Sequence, residues 1–304
     1  MASKPSIFFI VGAPKTATSA LWEYLTFHPE IFRPRIKEFH HFCDDFFESH
    51  MSDDDYLKAF SGMTEAHKMS VDGSVLYMYS DVALKRIHAF DPDAKIIVML
   101  RHPVDLIYSW HSQLCWNLNE DEPSFERAWA LCEERAYGRS LPADCEEPFV
   151  VQYGEIGLLA KSLKRIQSIF SDHQVKVVFM EDMKADTAGV YQEVLAFLDA
   201  CPFELPEYRT VNANTELRSR FLMRLGKMQL GGASKKFLRW LKGLLGFQST
   251  SFRRILINAS TVETERKPID SVFAAELLEY FRDDITELSQ LTGRNLDHWL
   301  RKVW

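Results

Sequence analysis

The 304-residue chain is poor in several features, and each shortage excludes a class of protein. Long apolar runs are missing. Residues 7–11 (Ile-Phe-Phe-Ile-Val) fall far short of the ~20 residues that cross a bilayer. No basic region precedes that run, so no secretory leader is read there, and a soluble cytoplasmic protein is expected. The five cysteines are an odd number with no Cys-x-x-Cys pair, which fits free thiols better than a disulfide framework. His40, His41 and Cys43 stand close together, but no second cluster has zinc spacing, and no metal is expected. Neither G-x-x-x-x-G-K-[ST] nor G-x-G-x-x-G occurs, which removes the usual triphosphate and dinucleotide loops. Internal repeats and low-complexity runs are absent too.

Acidic residues are missing from one stretch. Residues 217–254 hold ten basic residues and no acidic one, so the net charge of −7 leaves −17 for the rest. At 46% hydrophobic and 26% charged, the chain is large enough for a sizeable core. One domain over 1–304 is expected, with 215–260 as a variable, basic, helical segment and a candidate lid on the acceptor side. No nucleic-acid partner is expected, and the oligomeric state is not readable.

What is present is an alternation. Residues 6–11, 95–100 and 175–180, with a weaker run at 69–72, are short, apolar and rich in β-branched or aromatic residues, as buried parallel strands are. Helical patterns lie between and after them: 18–27, 81–90, 103–116, 123–135, 156–170, 185–198 and a long one near 270–291. This predicts an α/β fold, a central parallel sheet flanked by helices with a mostly helical C-terminal third. Ligands of such folds bind at the carboxyl ends of the strands.

Two strand ends carry the chemistry. After Val11 come Gly12, Ala13, Pro14, Lys15, Thr16, Ala17, Thr18, Ser19 and Ala20. A strand turning into a helix leaves N–H groups that favour an anion, Lys15 adds charge, and the hydroxyls of Thr16, Thr18 and Ser19 add donors. An ordinary capped strand–helix turn is the plain alternative. After Leu100 come Arg101, Pro103 and, eight residues beyond the arginine, Ser109. A guanidinium fork and a hydroxyl near the first loop make a second phosphate site, and two such sites suggest a nucleotide phosphorylated at both ends.

The pair GAPKTATSAL and LRHPVDLIYSWHSQ resembles the two cofactor motifs of the sulfotransferases, which use 3′-phosphoadenosine 5′-phosphosulfate (PAPS). HAFDPDAKIIVMLRHP, VKVVFMEDMKAD and AAELLEYFRDDITELSQLTGRNLDHWL look like bacterial and heparan-sulfate-type members. The resemblance spans about 6–211 and 262–300 and implies a P-loop-like nucleotide-binding fold. It implies that the first loop holds the 5′-phosphosulfate, that Arg101 and Ser109 hold the 3′-phosphate, and that 3′-phosphoadenosine 5′-phosphate (PAP) is the product. No metal is required. A basic loop that closes over the phosphates corresponds loosely to Arg266 and Lys267.

In RPRIKEFHHFCDDFF the resemblance makes Glu38 the general base, with His40 orienting the acceptor or acting as base itself. Phe39 and Phe42 beside Glu38 are expected to raise its pKa. Lys15 is expected to stabilise the leaving phosphate. Two departures stand out. Relatives often have an acidic-Lys-Thr/Ser-Pro segment where this chain has Asp72, Gly73, Ser74 and Val75, so Lys37 or another cation must substitute. Ala17 stands where relatives often have glycine. Phe39, Phe42, Phe46, Phe47, Trp110 and Trp116 hint at an apolar pocket for a hydroxyl-bearing acceptor: a small molecule, lipid, glycan or carrier-tethered group. Residues 234–247 read as an amphipathic basic helix for a membrane surface, an acidic carrier protein, the active site or the core. A nucleotide kinase with an atypical phosphate loop and a catalytically weak PAP(S)-binding module are the competing readings.

Overall fold

The computed structural model describes residues 5–47, 51–208 and 267–304, and the backbone of 215–217 and 261–263. The basic stretch, the segment 234–247 and Arg266 lie outside the described residues.

Five parallel strands form the sheet, β1 (Ile7–Gly12), β2 (Ile31–Phe32), β3 (Met69–Asp72), β4 (Ile96–Leu100) and β5 (Val175–Phe179), in the order β2-β3-β1-β4-β5. The loop-bearing strand β1 therefore lies at the centre, and all six of its residues are buried. Parallel strands covered on both faces need such continuous apolar runs. Apolar side chains of β1 divide between two layers. Phe9 and Val11 join the larger core under the long C-terminal helix, and Phe8 and Ile10 join a smaller core with Trp22 and Tyr191. The β1–β4 register slips between Ile10 and Gly12, where the chain leaves the sheet for the loop.

Local chemistry sets the helix ends. After α1 (Thr18–Leu25) and α2 (Asp53–Lys58), α3 (Asp81–Phe90) starts at Ser80, whose hydroxyl accepts from Ala83 N–H. Helix α4 (Pro103–Trp116) starts on Pro103, whose fixed φ suits the first turn. The pattern expected as one helix over 123–135 forms two, α5 (Phe125–Ala130) and α6 (Cys132–Ala136). The one expected over 156–170 forms α7 (Tyr153–Gly157) and α8 (Leu159–Gln167). The break has a tertiary cause. Asp284, from the C-terminal helix, accepts from Ala160 N–H (3.0 Å) and Lys161 N–H (3.2 Å) and so caps a new helix start. A short helix, α9 (Met180–Ala185), follows β5, and the pattern over 185–198 forms one helix, α10 (Thr187–Phe197), which Asp186 caps through Gly189 N–H.

An antiparallel pair, β6 (Thr215–Leu217) and β7 (Thr261–Glu263), precedes α11 (Ser271–Thr292) and α12 (Asp297–Leu300). Asp270 caps α11, and Gly293 ends it at φ 66°. The tail returns to the strand ends. His102 Nε2 meets Trp299 carbonyl oxygen at 3.1 Å, Arg294 pairs with Asp182 and Glu181, and Lys302 pairs with Asp105. Among the described residues no helix is long and apolar enough to cross a membrane.

Candidate active site

A cleft of about 670 Å³ lies over the carboxyl ends of all five strands. Residues from Pro14 to Ala20 reach it from β1, Glu38 and His40 from β2, and Val75 and Leu76 from β3. Arg101 reaches it from β4, with Ser109 and Gln113 on α4, and Met180 and Lys184 from β5. Its size falls in the ~300–1,000 Å³ range of small-molecule sites.

The loop after β1 fits an anion. Lys15 (φ 61°) and Ala17 (φ 66°) are left-handed, a geometry that turns successive N–H groups toward one concavity. Ala17 is the N-cap of α1 but supplies no side-chain cap, and the first turn holds no acidic residue. The helix start therefore faces the cleft with backbone donors and the positive end of its dipole. The φ of Ala17 explains why glycine suits this position: an L-residue held there costs roughly 1–2 kcal/mol. Gly12 (φ 144°) has no alternative, since a Cβ would lie 2.6 Å from Val75 carbonyl oxygen and collide with Met78 Sδ.

Two predicted loop residues do not face the cleft. Thr16 is fully buried, and its hydroxyl donates to Ala13 carbonyl oxygen at 2.6 Å. The hydroxyl staples the loop. Gly12 lies beneath the loop, packed on Met78 and Val75. Pro14, Lys15, Ala17, Thr18, Ser19 and Ala20 do line the cleft. Lys15 Nζ donates to Gln113 Oε1 at 3.1 Å, and Arg101 Nη1 donates to Lys15 carbonyl oxygen at 3.1 Å. The guanidinium thus ties the two motifs together across adjacent strands. Lys267 is exposed and not among the cleft-lining residues; its carbonyl accepts from Tyr108 at 3.0 Å.

Glu38 lies between two cations or potential cations. Lys37 Nζ is 2.6 Å from its Oε1, and His40 Nε2 is 3.4 Å from its Oε2. Burial pushes the Glu38 carboxyl up, but the His40 hydrogen bond and the Lys37 charge outweigh it and hold the pKa below the ordinary carboxylate value. This corrects the expectation of a raised pKa: Phe39 packs away on Tyr56 and Phe60, and charge faces the carboxylate. Lys37 also donates to Gly73 carbonyl oxygen at 3.2 Å, so a cation does stand at the position where the acidic-Lys motif is broken. His41 turns inward, bonded to Asp53 at 2.9 Å and stacked on Tyr56.

Fewer of the expected aromatic side chains line the cleft than the sequence suggests. Phe47 and Trp110 line the cleft, whereas Phe42 is core and Phe46 stacks on Phe149. Sequence reasoning missed Gln113, Asn117, Asn119, Glu146, Glu147, Met180 and Lys184, which all line it. Gln113 had a signal, standing four residues after Ser109 on one face of α4. The others come together only through the tertiary fold. Among the described residues no group of three His, Cys, Asp or Glu could hold a metal. Asp182, which a kinase reading would need, has its carboxylate engaged by Arg294.

A parallel α/β sheet with a phosphate-type loop on its central strand, and a carboxylate lining the same cleft, defines a nucleotide-dependent group-transfer class. The sulfotransferase domain family matches residues 5–220, and the chain belongs to that PAPS-dependent family. It is 28% identical over 97% of its length to the mouse bifunctional heparan sulfate N-deacetylase/N-sulfotransferase 4, and 26% identical over 97% to the human enzyme 3 of that series. The chain spans about a third of the length of these relatives, 31% in each case. The crystal structure of a sulfotransferase from Alicyclobacillus acidocaldarius superposes with a TM-score of 0.69 at 26% identity, covering 99% of this chain and 100% of that one.

Proposed function

We propose that this chain transfers a sulfuryl group from PAPS to a hydroxyl of an acceptor that is uncharged or carries an amine. One observation carries the reading: Lys15, Arg101 and Glu38, which follow three different strands, line a single cleft. PAPS would bring the sulfuryl group already activated on a phosphate. The N–H groups at the start of α1, with Lys15, would hold the 5′ end, and Arg101 with Ser109 the 3′-phosphate. Glu38 would take the proton of the acceptor hydroxyl as its oxygen bonds to sulfur. The old sulfur–oxygen bond breaks toward the phosphate, where Lys15 stabilises the charge that develops. Lys37, 2.6 Å from Glu38 and seated over Gly73, would supply the acceptor-side cation.

The acceptor class rests on the carboxylates of the cleft. Glu146 and Glu147 line it beside Asn117, Asn119, Phe47 and Trp110, as Lys15, Arg101 and Lys184 also do. A polyanionic chain would meet carboxylates there. The test is a transfer screen with labelled PAPS over phenols, amino alcohols, lipids and sulfated glycans, read by mass as a sulfate adduct. Sulfation of neutral or amine-bearing acceptors supports the reading, and adducts on sulfated glycans alone refute the acceptor class. Calorimetry with PAP against ATP checks the cofactor: preferential ATP binding returns the kinase reading. PAP binding without transfer to any acceptor leaves a binding module, the reading that the glycine at position 73 favours.

A further inference from the structure

We propose that Asp72, Gly73 and Ser74, at the end of β3, are positioning residues that set the geometry of Lys37, Glu38 and His40. The inference rests on the reading of Glu38 as the base. Each of the three holds the segment 37–40 at a different point. Gly73 N–H donates to Lys37 carbonyl oxygen at 2.8 Å, and its own carbonyl accepts from Lys37 Nζ at 3.2 Å. Ser74 Oγ accepts from His40 N–H at 3.0 Å and donates to Asp72 Oδ1 at 2.6 Å. Asp72 Oδ1 also accepts from Ser74 N–H at 3.1 Å, and Oδ2 accepts from Tyr77 (2.9 Å) and Tyr56 (3.2 Å).

Two features point to positioning over plain packing. His40 has φ 52°, a left-handed backbone that a non-glycine residue adopts at a cost, and the bond to Ser74 holds it there. That turn brings His40 Nε2 to 3.4 Å from Glu38. Asp72 is fully buried and makes no ion pair among the described residues. A buried carboxylate held by three hydroxyls and one backbone N–H is a costly way to end a strand. The cost is met where its partners fix the turn at His40.

Gly73 contributes by its lack of a side chain. A Cβ there would lie 3.2 Å from Lys37 Cγ, 3.2 Å from Trp22 Cδ1 and 3.3 Å from Lys37 carbonyl oxygen. A side chain at position 73 would push the Lys37 stem and backbone, or Trp22, aside by a few tenths of an ångström. Glu38 is held from both flanks, by Lys37 at 2.6 Å and by His40 at 3.4 Å.

The experiment compares wild type with Ser74→Ala, Ser74→Thr and Gly73→Ala. It reads PAP affinity by calorimetry, PAP release from PAPS with water as the default acceptor, and the His40 imidazole signals in histidine-labelled, PAP-bound protein. Ser74→Ala and Gly73→Ala are expected to lower kcat about 10- to 100-fold, the scale of a small misplacement of a reacting group. PAP affinity should stay within about twofold, because the brace lies on the acceptor side. The His40 signals should move in Ser74→Ala and return in Ser74→Thr together with kcat. Unmoved signals and unchanged kcat in folded Ser74→Ala overturn the brace and leave the sulfotransferase reading intact. A parallel loss of PAP affinity also overturns it, as a general structural lesion. A wild-type chain that binds no PAP overturns the sulfotransferase reading itself, and the brace with it.

Discussion

Removing the Glu120 carboxylate should destabilise the protein by about 3–5 kcal/mol, the cost of leaving a buried charge without its partner. Glu120 and Arg135 are both 0% exposed at their side chains and form a two-pronged pair, at 2.6 and 2.8 Å. The same carboxylate accepts from Tyr153 Oη (2.7 Å) and from the N–H groups of Asp121 and Glu122 (2.9 Å each). Glu120→Ala therefore strands a guanidinium and a buried hydroxyl together. Against a typical total of about 5–15 kcal/mol, that is a large share. Urea unfolding followed by circular dichroism should show a lower midpoint at unchanged slope. A double variant, Glu120→Leu with Arg135→Met, should recover most of the loss, because it removes both charges. Burial raises the Glu120 pKa, but Arg135 and Tyr153 outweigh it and hold it low. The contribution is thus present above the ordinary carboxylate pKa and is lost as pH falls through the depressed one. Glu120 adjoins Asn119, which lines the cleft and whose Oδ1 accepts from Glu146 N–H at 2.8 Å. Glu120→Ala should accordingly weaken acceptor turnover more than PAP binding. A loss under about 1 kcal/mol, the scale of an exposed pair, or a double variant as damaged as the single, would refute the reasoning.

Other expectations concern the site itself. Lys15→Ala should lower kcat about 10²- to 10³-fold, as loss of one group stabilising developing charge does, with a smaller effect on PAP affinity; rapid-quench turnover and calorimetry separate the two. Arg101→Ala should weaken PAP binding about 10- to 100-fold, as expected for loss of a charge-assisted hydrogen bond, and an unchanged dissociation constant would exclude Arg101 from the 3′-phosphate. Because His40 and Lys37 depress Glu38, the acid limb of the kcat/KM profile should lie below the ordinary carboxylate range, with activity lost only as pH falls through the depressed value. Lys37→Met should move that limb upward, and a stationary limb means another group is the base. Glu147→Gln should improve turnover of anionic acceptors relative to neutral ones, read as a ratio of kcat/KM values.

The fold was legible wherever local pattern and tertiary demand agree. The apolar runs gave β1, β4 and β5 to within a residue or so, and Pro103 stood at the start of α4. The helix breaks were hidden because apolar periodicity continues through Leu131 and Leu158, while the group that caps α8 is Asp284, from a distant helix. The two-residue strand β2 is too short to show any period. That Lys15, Arg101 and Glu38 line one cleft was legible through motifs. The depressed pKa of Glu38 was not, since adjacent Phe39 suggests an apolar surrounding when its ring in fact packs on Tyr56 and Phe60. The inward turn of the Thr16 hydroxyl likewise depends on loop dihedrals that residue types do not specify.

The strand order has a consequence for how the molecule assembles. The central strand β1 pairs with β3 and β4, about sixty and ninety residues further along, and has no neighbour closer in sequence. Pairings this remote close large loops before any contact rewards them, so folding is expected to be slow for the chain's size. Lys15, Glu38 and Arg101 follow three different strands and meet only once those pairings exist. A partly folded chain therefore has no phosphate site to offer, and the nucleotide selects the completed sheet. At a hundredfold excess over its dissociation constant, PAP would hold the native state by about 2.7 kcal/mol. The cofactor would then act on this protein as a folding ligand before it acts as a substrate.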